Sequence, residues 1–295
     1  MTANFPIISH ETWLEKVKTE LKSREMQDLI FKIDEDINIS PIYFENKFEV
    51  FFPAIKDWHI GDIFSQKNYS NAKDLNEVIL KALNFGADTI IVENMNFSDQ
   101  DIITKEVDLG IMDFWKATDE GFQKLNTNAC INYKRIPLNL SKPIVSELVT
   151  GLNLFTQNLA DPQNSIFVIE PSDDFFLNIA SIQSLQILVK NLSKSTFNNL
   201  DYQYLALLSH HGHQSPIEKA VIQSTLKALS CAISGIDSIA IRPYSDSESS
   251  RRITRNIQHI LKMETKINKS LHPLENNYLL KNMVQSICQK VWSEL

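Results

Sequence analysis

Residues 165–192 read SIFVIEPSDDFFLNIASIQSLQILVKNL. The first part, SIFVIEP (165–171), is a short, almost continuous apolar run with β-branched and aromatic residues, the length of a strand rather than a helix. The second, FFLNIASIQSLQILVKNL (175–192), is long enough for five helical turns. Asp173 and Asp174 stand just before it, where a carboxylate caps a helix and meets the positive end of its dipole. A buried strand followed at once by a long helix is a βα unit. The fold depends on how often that unit recurs.

It recurs in both directions. Downstream, YQYLALLSH (202–210) is a strand, 217–233 a helix stopped by Gly235, IDSIAIRPY (236–244) a strand and 249–268 a helix. Upstream, WHIGDIF begins a strand at Trp58. A helix over 71–84 follows, with Ala72, Leu75, Val78, Ile79, Ala82 and Leu83 as its stripe, and Phe85-Gly86 ends it. DTIIV (88–92) and ACINYKRI (129–136) are further strands, and 143–159 is a helix. Six βα units follow residue 57, and the stretch 101–128 has room for one more. Apolar strands alternating with helices imply a parallel sheet covered on both faces. That count, with no Gly-rich first turn of either phosphate-binding type, favours an abridged TIM-type (β/α)8 barrel over a doubly wound sheet.

Three segments are expected. Residues 1–57 form an arm, with an amphipathic helix over HETWLEKVKTELKS (10–23) and an extended piece at INISPIY (37–43). Residues 58–270 form the barrel, and 271–295 a C-terminal turn and helix.

Composition narrows the function classes. The chain has 295 residues, a net charge of −7 and a pI of about 5.5. It has no basic block beyond the helically spaced Arg251, Arg252 and Arg255, so nucleic acid is not an expected partner. No apolar run is long enough to span a bilayer, and MTANFPIISHETW lacks the pattern of a signal peptide. Cys130, Cys231 and Cys288 are widely separated and odd in number, which suits reduced thiols. The expected location is the cytoplasm, with no membrane association.

In a barrel, function lies where strands end. Those positions are Asp62–Ser65, Glu93–Met95, Tyr133–Arg135, Glu170–Ser172, Ser209–His213 and Arg242–Tyr244. The candidate ligand-facing residues are Tyr133, Lys134, Arg135, Glu170, His210, His211, His213, Arg242 and Tyr244. Three of the chain's seven histidines fall in SHHGHQSP (209–216). No accompanying metal-ligand spacing supports them, so no metal is expected there. Lys134 and Arg135 suit a phosphate or carboxylate as well as a solvated loop. Arg242 is positioned to pair with Glu170 across the mouth.

The segment SRRITRNIQHILKMETKINKSLHPLENNYLL (250–280) resembles the methylmalonyl-CoA mutase family. Arg255, Asn256, Gln258, Ile260, Leu261 and Glu264 match its R-N-x-Q-x-I-L-x-x-E helix, and Pro273 and Tyr278 match the turn after it, with His272 replacing an acid. Gly235–Ser238 resemble the entry to the family's last barrel strand. Phe175, Phe176 and Ala180 resemble its F-F-x-x-x-A helix. ETWLEKV, INISPIYFENK and Trp58-His59-Ile60 resemble the family's opening segments. SHHGHQS is a degenerate copy of a polar run that lines the family's substrate channel.

The resemblance implies a barrel threaded by a CoA thioester, with radical chemistry supplied by adenosylcobalamin. Three departures argue against catalysis here. Ile63 stands where the family places a tyrosine against the reacting carbons, Gly61 where it places an arginine, and Lys134 where it places a histidine on the thioester carbonyl. Asp57–Gly61 only approximates the family's cobalamin histidine motif, at the wrong spacing, and is read as chance. The chain therefore resembles a shortened small, non-catalytic subunit. No catalytic residue and no bound cofactor are expected on it, and adenosylcobalamin is expected on a large catalytic subunit paired with it as a heterodimer. The alternative is an independent acyl-CoA-binding protein or enzyme at the barrel mouth. That alternative requires Lys134, His211 and Glu170 to converge on a cavity, and fails if Phe and Ile side chains plug the axis.

Overall fold

A computed structural model of the chain describes residues 8–22, 25–34, 37–43, 55–118, 121–127, 130–160, 164–195, 202–209, 216–269 and 274–295. The arm holds α1 (His10–Leu21), capped by the Ser9 hydroxyl, and an antiparallel ribbon of β1 (Phe31–Asp34) and β2 (Ile37–Ile39). The barrel follows as β3 (His59–Ser65), α2 (Ala72–Asn84), β4 (Thr89–Glu93), a short α3 (Gln100–Ile103), β5 (Asp113–Ala117), β6 (Gly121–Leu125) and β7 (Cys130–Asn139). It continues with α4 (Ile144–Ala160), β8 (Asn164–Glu170), α5 (Phe175–Ser195), β9 (Tyr202–Leu208), α6 (Ile217–Ile233), β10 (Ser238–Ile241) and α7 (Glu248–His259), and α8 (Tyr278–Glu294) ends the chain. The eight strands from β3 to β10 close into a barrel in the order β10-β3-β4-β5-β6-β7-β8-β9.

The abridgement is located in the stretch 101–128. Parallel neighbours need a crossover of roughly a dozen residues or more, whereas antiparallel ones need only a tight turn. Residues 118–120 separate β5 from β6, and 126–129 separate β6 from β7. Such loops permit only hairpins, and β6 runs antiparallel to both neighbours. Two reversals restore the direction, so β7 pairs parallel with β8 and the ring closes. The barrel thus keeps eight strands while omitting the helices that would flank β6.

Strand β7 also runs further than its sequence suggests. Tyr133–Arg135 is not a strand end; the strand continues to Asn139, opposite Glu170. Pro137 falls in the half of β7 that β6 no longer reaches, where a missing N–H is tolerated. The helix expected over 249–268 is also broken: α7 stops at His259 and passes into a π-helical turn over Ile260–Glu264.

Side chains alternate across each strand, which defines two cores. Outside the barrel, β7 to β10 pack against α4, α5, α6 and α8 through residues such as Phe167, Ile169, Leu185, Cys231 and Ile287. Helix α5 lies between α6 and α8, and its surroundings are apolar on several sides. Its buried polar groups bond to backbone, as in Ser184 Oγ to Ala180 O and Gln183 Nε2 to Ser234 O. Asp174 caps α5 through Leu177 N, as its sequence position suggested.

The cysteines separate by environment. Cys130 is exposed, whereas burial pushes the Cys231 thiol up to about 12 and the Cys288 thiol up to about 11. At pH 8 one thiol in three is expected to react quickly with a colorimetric disulfide reagent, and the other two only after unfolding. Folding holds these two protons more tightly than the unfolded chain does. Their contribution to stability is therefore intact below the ordinary thiol value near 9 and is lost as pH rises towards 11–12. Fast reaction of all three thiols in the native protein would contradict this.

Candidate functional site at the barrel mouth

The barrel axis is filled. Ile63, Ile91, Trp115, Phe122, Tyr133, Ile166, Val168, Leu205 and Ala240 form one buried cluster inside the ring. Trp115 meets Tyr133 edge-on at 5.0 Å between centroids and Phe122 at 6.3 Å. Gly61 also faces this interior. A Cβ there would lie 2.7 Å from the Ile239 carbonyl oxygen and 2.9 Å from the Ala240 Cβ. Strand β10 therefore approaches too closely for the arginine that the family resemblance would place at 61, and Ile63 occupies the tyrosine position as packing.

Above this plug, charges pair across the mouth. The Arg242 guanidinium donates to both oxygens of Glu93, at 2.6 and 3.0 Å. This fork geometry raises the already high arginine pKa, and Glu170 adds to it electrostatically. The bidentate pair with Glu93 stands beside the expected influence of Glu170 on Arg242. Arg135, Asn139, Glu170 and Ser209 line a hollow of about 140 Å³. Asn139 Nδ2 lies 3.5 Å from Glu170 Oε2, at the edge of hydrogen-bond reach. Arg135 sits 6.0 Å from the Phe122 ring centroid.

The other candidates do not join them. Tyr133 is part of the plug. Lys134, its neighbour on β7, alternates to the outer surface, so it does not converge with Glu170. Tyr244 is half-buried beside Ser224, and burial pushes its phenol up. His210, His211 and His213 lie outside the described residues. At the opposite end of the barrel, His59 Nδ1 stands 3.6 Å from Asp113, which pairs with Lys124 at 2.5 Å, while Asp57 pairs with Lys262. Among the described residues no group of three acidic, histidine or cysteine side chains could hold a metal ion. No described helix is long and apolar enough to cross a membrane.

Outside β3 lies a buried ionic cluster that the motif reading did not anticipate. Asp62 accepts from Arg251 Nη1 at 3.1 Å and from Arg255 Nη1 at 2.5 Å. Gln258 Nε2 donates to Gly61 O at 3.3 Å. Arg255 and Gln258, two residues of the R-N-x-Q helix, therefore clamp α7 onto the first barrel strand. Their role in this chain is structural.

Trp115, Phe122, Tyr133 and Ile63 occupy the described barrel interior, so it offers no channel of the kind that the family resemblance implies.

The geometry defines a closed eight-stranded α/β barrel with a filled axis and a mouth crossed by a bidentate ion pair. Residues 160–295 match the methylmalonyl-CoA mutase family model. The chain is 20% identical to the methylmalonyl-CoA mutase small subunit of Porphyromonas gingivalis (strain ATCC BAA-308 / W83), over 98% of its own length and 62% of that protein's. Both matches are to methylmalonyl-CoA mutase proteins, the family model over the C-terminal part of the chain and the relative over nearly all of it. The alignment runs over 401 positions, so the relative carries segments within this span that have no counterpart here. Among solved structures, the wild-type GGGPS from Thermoplasma volcanium is similar with a TM-score of 0.39 and 11% identity, covering 70% of this chain and 94% of that one.

Proposed function

We propose that this chain is a non-catalytic subunit that binds and stabilises a catalytic, cobalamin-dependent mutase chain, as a heterodimer in the cytoplasm. The observation that carries this reading is the filled axis. The positions matched to the family's reacting pocket are spent on packing: Ile63 inside the plug, Gly61 against β10, and Lys134 on the outer surface. A barrel that clamps α7 to β3 but offers no open channel is suited to presenting a surface rather than transforming a substrate. The likeness to a protein named as a small subunit supports the same reading.

The reading is tested by affinity capture of the tagged chain from its native lysate. A mutase large chain is expected in the eluate at about equal amount, and its melting temperature is expected to rise when the two are mixed. Repeated capture without any mutase chain would overturn the proposal. The alternative, an independent acyl-CoA barrel, required an open cavity. It loses its support with Trp115 and Phe122 across the axis and Lys134 directed away from Glu170. Saturable binding of acetyl-CoA by calorimetry would restore it.

A further inference from the structure

We draw no further inference here: the strongest candidate, the exposed apolar patch at the end of the barrel opposite the mouth, formed by Phe85 after α2 and by Ile260 and Met263 of the π-helical turn that His259 ties to the Phe85 carbonyl, is an unpartnered surface, and nothing in the structure shows what covers it.

Discussion

Replacing Asp62 with alanine is expected to destabilise the fold by about 3–5 kcal/mol, because it leaves two guanidiniums buried without their shared carboxylate. Arg251 and Arg255 are each 2% exposed, and Asp62 is 1% exposed. Burial shifts the Asp62 carboxyl up even though both guanidiniums pull it down. Desolvation is therefore the largest influence on that carboxyl. The loss in the variant comes from stranded charge. Arg251 would keep its bond to Ile63 O at 2.7 Å and its position over the Phe64 ring, and Arg255 its bond to Glu248 at 2.9 Å. Neither contact replaces a buried counter-ion.

A comparison of variants isolates that mechanism. Arg252→Ala, on the exposed side of the same helix, should change stability by less than about 0.5 kcal/mol. Replacing Asp62, Arg251 and Arg255 together by apolar residues of similar size should cost less than Asp62→Ala alone. Chemical denaturation followed by tryptophan fluorescence measures all three. An Asp62→Ala midpoint equal to that of Arg252→Ala would contradict the account.

The same residues show where sequence reading succeeds and where it stops. Segment 165–192 was legible because strand and helix periods differ and each βα unit is local. The closed ring follows from repeating it. The hairpins at 118–120 and 126–129 were missed because strand direction depends on loop length against an eventual neighbour, and β6 is only five residues long. The ionic cluster did leave a signal. An aspartate inside the apolar run HIGDIF requires a partner, and Arg251 and Arg255, four residues apart, share one helix face. Which face meets which strand is a tertiary fact, so the two arginines were read as a sparse basic patch and Arg255 as part of a motif, not as the partners of Asp62. The candidate mouth was half legible. Glu170 and Arg242 do stand there, but β7 runs four residues beyond Arg135. Arg242 reaches Glu93 because β10 and β4 both flank β3.

Truncating Trp115 to alanine is expected to cost about 3–5 kcal/mol, the range for removing a large buried aromatic. Trp115 is 2% exposed and links three strands of the plug: Lys124 of β6 lies 5.3 Å from its ring centroid, Phe122 is its β6 neighbour, and Tyr133 meets it from β7. No helix covers β6 from outside in the manner of the other strands, so inward packing has to hold the hairpin in the ring. The loss should therefore be local as well as global. Hydrogen exchange of amides in β5 and β6 should accelerate more than in β7–β10, because the latter keep α4, α5, α6 and α8. The cavity created should still not admit a CoA ester, since Ile63, Phe122 and Tyr133 remain across the axis. Trp115→Ala that melts with the parent, or that gains saturable acetyl-CoA binding, would contradict the view that this residue seals the barrel as packing. Uniform acceleration across all eight strands would instead mean that the hairpin is held by something other than the plug.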